Sequence, residues 1–211
     1  MIELQYLIFV VIILALIFDL RNGFHDTANA IATSVSTRAL YPSHAIMLAA
    51  GFNFVGAMVS TGVAKTIGGD IVSSASLVNE KILIAALIGA IFWNLLTWWL
   101  GLPSSSSHAL IGGLIGAVLI SVGVNGLNLY GIGKIFLGLI FSPAIALLTG
   151  IIIMNIIFRL FARANPHVLN DRFRRMQVVS AAMIAFSNGS NDAQKSMGII
   201  TLALFSGGFI A

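Results

Sequence analysis

Residues 3–37 form a largely apolar run around a polar nonapeptide, Asn22-Gly23-Phe24-His25-Asp26-Thr27-Ala28-Asn29-Ala30. That placement constrains the fold more than any other feature of the chain. One straight helix over residues 3–37 would be about 52 Å long, against a hydrocarbon core of about 30 Å. A span broken at Asn22-Gly23 satisfies the length and sets the polar residues at the break. Non-helical backbone at that depth is tolerated only where it is buried in protein or lines a wet cavity. A membrane setting follows from the whole chain, which is 58% hydrophobic and 9% charged with a mean hydropathy of +1.01. Soluble domains carry about 25% charged residues. The apolar runs are long and do not alternate, so the expected class is an all-α integral membrane protein and not a barrel. The absence of cysteine excludes disulfides, thiolate metal sites and cysteine nucleophiles. The first segment has no basic n-region and no small-x-small site before the polar motif, so it is expected to be a retained span.

Further along, Ser43–Val63 reads as a span with Asn53 inside it, followed by a polar connection over Lys65–Glu80 with a turn signal at Gly68-Gly69-Asp70. Lys81–Leu100 is the next span, with Asn94 inside and Trp93, Trp98 and Trp99 as an interfacial belt. Pro103-Ser104-Ser105-Ser106-Ser107-His108 then interrupts the chain. The run behind it, Ala109–Val122, is short for a full span and suits a re-entrant or half-helix element. Asn125–Gly133 reads as a loop, and Lys134–Phe158 as a long span kinked at Ser142-Pro143. Arg159–Gln177 is the one extended hydrophilic stretch, with Arg159, Arg163, Arg172, Arg174 and Arg175 against Asp171. The positive-inside rule places it in the cytoplasm; a phosphate- or lipid-binding patch is the other reading of the same charges. The net charge of +4 is an orientation signal in such a chain and not a sign of nucleic-acid binding.

The polar motif returns once, as Asn188-Gly189-Ser190-Asn191-Asp192-Ala193-Gln194-Lys195-Ser196. Aligning Asp26 with Asp192 sets the copies 166 residues apart. Five crossings before the basic stretch would turn the second copy upside down and place the N-terminus outside. Inverted repeats with broken helices meeting near the midplane are the pattern of secondary transporters. The expected division is a first repeat at 1–158, a basic loop at 159–177 and the start of an inverted second repeat at 178–211. The second copy stops at Ala211 without a second serine-rich break. The expectation is therefore a fragment, a truncated gene product or an incomplete chain.

The motifs carry chemistry that apolar sequence does not need. Asp26 and Asp192 must pair with a cation or line a water-filled path. A carboxylate with Asn29, Thr27 and free carbonyls nearby is a hard-oxygen set for Na⁺, or for a proton held on Asp. The plainer alternative is that Asp26 caps a half-helix starting at Thr27. The four hydroxyls of Ser104–Ser107 precede a helix-like run, whose first turn offers unpaired N–H groups and a positive dipole end. Together these form an anion cradle, beyond what capping requires. Lys195, at membrane depth, should pair with Asp192 or face an anion. Arg21 could serve a substrate or pair with Asp19 or Asp192. His25 and His108 could carry protons or donate to phosphate, and the four histidines lack a transition-metal spacing.

At these residues the chain resembles the inorganic phosphate transporter (PiT) family of cation-coupled phosphate symporters. Asn22–Ala30 is similar to the bacterial form of that family's Gly-Ala-Asn-Asp-Val-Ala-Asn-Ala signature. Gly189–Gly198 is similar to its second-half counterpart, and Pro103–Gly112 to its Pro-Ser-Ser-Ser-x-His motif. The resemblance implies uptake of inorganic phosphate driven by Na⁺ or H⁺ across the inner cell membrane, in a fold that often dimerises, with no other cofactor. It implies Asp26, Asn29 and Asp192 as metal ligands if the ion is Na⁺, with Thr27 and Asn191 completing the cation set. It implies Ser104, Ser105, Ser106, Ser107, Asn191 and Gln194 for phosphate, and the charge of Lys195 adds it to that set. Gln194-Lys195 departs from the signature, standing where Ala-Asn would be. Sulfate or a metal–phosphate complex would fit the same cradle. An intramembrane serine hydrolase built on Ser107 and His108 is disfavoured, because adjacent helical residues do not face each other and no Gly-x-Ser-x-Gly elbow is present. A membrane-embedded partner without transport activity of its own completes the alternatives.

Overall fold

A computed structural model describes residues 2–59 and 70–210, with the side chains of Ile2, His25 and Ala75 outside the description. Among these residues there are six α-helices: α1 (Ile2–Ser36), α2 (Pro42–Ala57), α3 (Glu80–Trp99), α4 (Ser106–Ser121), α5 (Leu129–Phe161) and α6 (Pro166–Ser206). Short 3-10 turns lie at Ala75–Leu77 and Val124–Gly126. The helix starts are written into the sequence. Asn79, Asn128 and Asn165 each accept a hydrogen bond from a backbone N–H of the turn they open, and Pro42 and Pro166 sit in first turns.

Both polar motifs lie inside unbroken helices, so the interruptions expected at Asn22-Gly23 and Asn188-Gly189 are absent. The reason lies at the far end of α1. Its last turn leaves the apolar zone and docks on the polar start of α6. There Ser34 Oγ donates to the Gln177 carbonyl at 3.1 Å, Thr37 Oγ1 bonds Gln177 Oε1 at 2.5 Å, and Arg174 Nη2 donates to the Arg38 carbonyl at 2.6 Å. A 35-residue helix is about 52 Å long, longer than a bilayer of about 40–45 Å with its headgroups, so a polar end docked on protein needs no break in the helix. Residues 159–177, expected as a loop, are the end of α5 and the start of α6, joined through 162–165. Of the loop expected at Asn125–Gly133, only the part before Leu129 lies outside α5. Pro143 lies within α5, whose helical assignment continues through it. The second span ends at Ala57; the rest of it, and most of the Gly68-Gly69-Asp70 turn signal, lies outside the described residues.

The serine-rich break is real. The chain leaves α3 at Leu100, runs through Pro103 and Ser104, and re-enters helix at Ser106. Helix α4 has 16 residues, about 24 Å, and folds back along α3 as a half-length element. Val11, Ala15 and Phe18 of α1, Leu83, Ala86 and Leu87 of α3, Leu110 and Leu114 of α4, and Ile199 of α6 form the core. Among the described residues, three helices are long and apolar enough to cross a membrane: Glu3–Ser36, Glu80–Trp99 and Leu129–Phe161. Helix α5 is apolar over most of its surface, with Lys134, Asn155 and Arg159 as exceptions, yet Gly131 is its only buried residue. An apolar helix with no polar face belongs in lipid or against another membrane helix.

Three hydrogen bonds fix the direction of α6 against α1. Ala15 accepts from Ser196 Oγ (3.2 Å), Asp26 from Asn188 Nδ2 (3.2 Å), and Gln177 from Ser34 Oγ (3.1 Å), all at carbonyl oxygens. As the α1 partner climbs through 15, 26 and 34, the α6 partner falls through 196, 188 and 177. The two helices that carry the repeat are therefore antiparallel, and midway along them Asn22-Gly23 comes opposite Asn188-Gly189.

Glycine permits the closest approaches on the α2 side of α6. A Cβ on Gly189 would lie 2.0 Å from the Asn53 carbonyl oxygen, and one on Gly56 would lie 2.2 Å from that of Phe186. Gly56→Leu should force α2 and α6 apart and lower stability by about 1–3 kcal/mol. Gly51→Ala, where a Cβ meets open space, should be neutral or stabilising. Unfolding transitions of the detergent-solubilised protein check the pair; equal losses at both positions would contradict the packing.

Candidate functional site

Where the repeated motifs meet, the helices enclose a cavity of about 260 Å³. Asp19, Asn22, Asp26 and Thr27 line it from α1, Asn53 from α2, and Asn188 and Asp192 from α6. Three carboxylates thus face one space in an otherwise apolar bundle. A second, much narrower gap lies on the α4 side, lined by Asn22, Asp26, Asn94, Ser104 and Ser106. Its volume of about 10 Å³ holds at most one water. Asn22 and Asp26 border both spaces and separate them.

Lys195 reaches Ser106, one of the residues lining this gap, from α6. It is 4% exposed, and its Nζ lies 2.6 Å from Asp192 Oδ1 and 2.9 Å from Ser106 Oγ. One ammonium therefore ties the carboxylate of the second motif to the hydroxyl cradle. The i, i+3 spacing on α6 brings lysine and aspartate to one face, and the fold-back of α4 brings Ser106 to them.

The remaining candidates fall into three groups. Asp26, Thr27 and Asp192 line the larger cavity, and Ser104 and Ser106 the smaller. Ser105 is the N-cap of α4, its side chain 3.5 Å from the His108 backbone N–H, and Ser107 lies half-buried in the first turn. Gln194 is buried, with its amide donating to the Ser190 carbonyl. Asn29 and Asn191 are exposed and line neither space; the Asn191 amide donates to the Ser187 carbonyl at 2.8 Å. Because α1 is continuous, Asp26 does not cap a half-helix. His108 faces a separate cavity of about 430 Å³ with Trp93, Gly112 and Gly113, which shares no lining residue with the other two spaces. The Arg21 guanidinium stacks on Trp98 (5.0 Å) and Phe24 (5.6 Å), so at least one belt tryptophan holds a cation. The side chain of His25 lies outside the described residues.

Sequence reasoning missed Asp19, Asn53, Asn94 and Asn188 as members of the site. Asn53 and Asn94 are lone polar residues on apolar stretches, and Asp19 and Asn188 stand at the edges of the polar motifs; polar residues so placed are functional by default inside a membrane. Asp19 lies seven residues, two helical turns, before Asp26, which puts both on one face.

Two antiparallel copies of one polar helix, sharing a carboxylate-lined cavity beside a serine-capped half-helix, define an inverted-repeat membrane transporter fold. The chain belongs to the phosphate transporter family, whose sequence profile matches residues 22–170 and 162–208. It is 54% identical over 204 residues to a probable low-affinity inorganic phosphate transporter of Bacillus subtilis, covering 96% of this chain and 61% of that protein. It is 46% identical over 208 residues to one of Mycobacterium leprae, covering 98% of this chain and 50% of the relative. The chain thus spans about half to three-fifths of the length of these curated relatives. A solved structure described as the sodium-dependent phosphate transporter superposes with a TM-score of 0.79 at 23% identity, over 95% of this chain and 68% of that one, a likeness of fold.

The ion pair makes a quantitative prediction. Asp192→Asn leaves the buried Lys195 charge without its partner and should cost about 3–5 kcal/mol, whereas Lys195→Met leaves the less buried Asp192 and should cost less. The double variant should lose clearly less than the sum, as measured by unfolding in detergent. Additive losses would show that the two groups do not interact.

Proposed function

We propose that this chain carries the cation and anion halves of a cation-coupled symporter of inorganic phosphate, working by alternating access. The observation that carries the reading is that Asn22 and Asp26 border both the three-carboxylate cavity and the serine gap. An anion beside Asp26 meets a like charge. At 4 Å and an effective dielectric of 20 that repulsion is about 4 kcal/mol. A cation in the larger cavity cancels it, so anion binding and cation binding favour each other. Coupling is then an electrostatic consequence of one shared carboxylate.

In this reading Asp26 and Thr27 face the mobile cation, Na⁺ or H⁺, while Asp192 lines the same cavity with its charge paired to Lys195, and Asn29 and Asn191 join only if the helices rotate. Ser104–Ser107 and the first N–H groups of α4 receive phosphate, with Lys195 at hand and Gln194 behind it. The serine gap is too small for phosphate as it stands, so the substrate must part α4 from α6. Opening one side of the divide while the other stays closed is what alternating access requires. The basic start of α6 would lie in the cytoplasm with the N-terminus outside, in the inner cell membrane, and 1–158 and 178–211 would be the two repeats. The unpartnered apolar length of α5 supports a homodimer or a lipid-facing position.

The test is radiolabelled phosphate uptake by the full-length protein in proteoliposomes, with and without a cation gradient. Uptake should follow the gradient, and Asp26→Asn should abolish that dependence. Ser106→Ala should raise KM about tenfold, since a hydrogen bond to a charged group is worth about 1.5–3 kcal/mol. Gradient-independent uptake, or an unchanged coupling in Asp26→Asn, would sink the reading.

A further inference from the structure

The two copies of the motif are alike in fold but unlike in charge. Three residues after its aspartate the first copy has Asn29, and the second has Lys195. Asn29 is neutral and exposed, whereas Lys195 is buried and brings a cation of its own. The structure shows where that charge goes. Lys195 Nζ is held between a carboxylate oxygen at 2.6 Å and a hydroxyl oxygen at 2.9 Å. These are the hard-oxygen donors a Na⁺ ion would take. The side chain around this ammonium is buried, so the charge does not reach solvent.

We propose that Lys195 is a tethered cation, standing in the second copy where a mobile cation would otherwise bind. Asp192 then takes no mobile cation, and of the two repeated aspartates only Asp26 does. The tether has a second consequence. Because the same ammonium also holds Ser106, it keeps one permanent positive charge at the anion cradle, so phosphate entering there meets a counter-charge that never dissociates. The cation load of the transport cycle falls by one relative to a protein with asparagine in both copies. This inference rests on the proposed cation-coupled reading, in that it assigns cations within the same site.

The experiment is ²²Na⁺ binding to the purified full-length protein, for wild type, Lys195→Asn, Lys195→Arg and Asp192→Asn. Lys195→Asn restores the spacing of the first copy, and it should bind one more Na⁺ per chain than wild type. Lys195→Arg keeps the charge and should match wild type, as should Asp192→Asn. An unchanged count in Lys195→Asn, or a lost Na⁺ in Asp192→Asn, would overturn the proposal. Lys195→Asn should also be thermally stabilised by Na⁺ more than wild type, because a bound ion stabilises the folded state by mass action. If it stays unfolded at every Na⁺ concentration while Lys195→Arg folds, no mobile cation can replace the ammonium and the proposal fails. None of these readouts involves phosphate uptake. Absent uptake in wild type would therefore count against the proposed function and leave the Na⁺ count to decide this assignment.

Discussion

A carboxylate inside an apolar helix must be answered by a positive charge or by water, and the arrangement of this protein follows from how Asp192 is answered. Lys195, one turn further along α6, supplies the charge and carries on to Ser106. That reach requires α4 to begin beside α6, which in turn requires the chain to break at Pro103 and fold back along α3. It also requires α6 to lie close enough to α1 and α2 to shield the pair, and the small residues provide this. Gly189 lets α6 approach the backbone of α2 at Asn53, and Asn188 reaches across to the carbonyl of Asp26.

The antiparallel pairing of α1 and α6 turns a repeated sequence into one site. Two copies of Asn-Gly with a nearby aspartate, running in opposite directions, place their polar faces against each other at the middle of the pair. Neither copy encloses a cavity by itself. Together, with Asn53 from α2, they enclose one lined by Asp19, Asp26 and Asp192. The copies are not equivalent in electrostatic terms, because Lys195 is joined to only one of them.

Much of this was legible in the sequence. The repeat, the membrane setting and the half-length α4 follow from residue types and spacing, which also limit Lys195 to pairing with Asp192 or facing an anion. The breaks at Asn22-Gly23 and Asn188-Gly189 did not follow. The length argument assumed that all of α1 lay in hydrocarbon, whereas its end docks on the polar turns of α6. Glycine in a helix is also a packing device, and Gly189 serves in that way without interrupting hydrogen bonding. The basic stretch looked like a loop because its charge was weighed above its capped, proline-led helix start at Asn165-Pro166. Asp19, Asn53, Asn94 and Asn188 were visible as intramembrane polar residues, but which of them share a cavity depends on helix rotation, which periodicity alone does not set.

The central claim is geometric: the two motif-bearing helices run antiparallel and meet at Asn22-Gly23 and Asn188-Gly189. This chain has no cysteine, so paired substitutions within it report directly on the contact. Disulfide formation should be measured in membranes for Ala15→Cys/Ser196→Cys, for Ser34→Cys/Gln177→Cys and for the crossed pair Ala15→Cys/Gln177→Cys. The account predicts cross-links in the first two and none in the third. A cross-link in the crossed pair, with none in the others, would mean parallel helices and would remove the shared site.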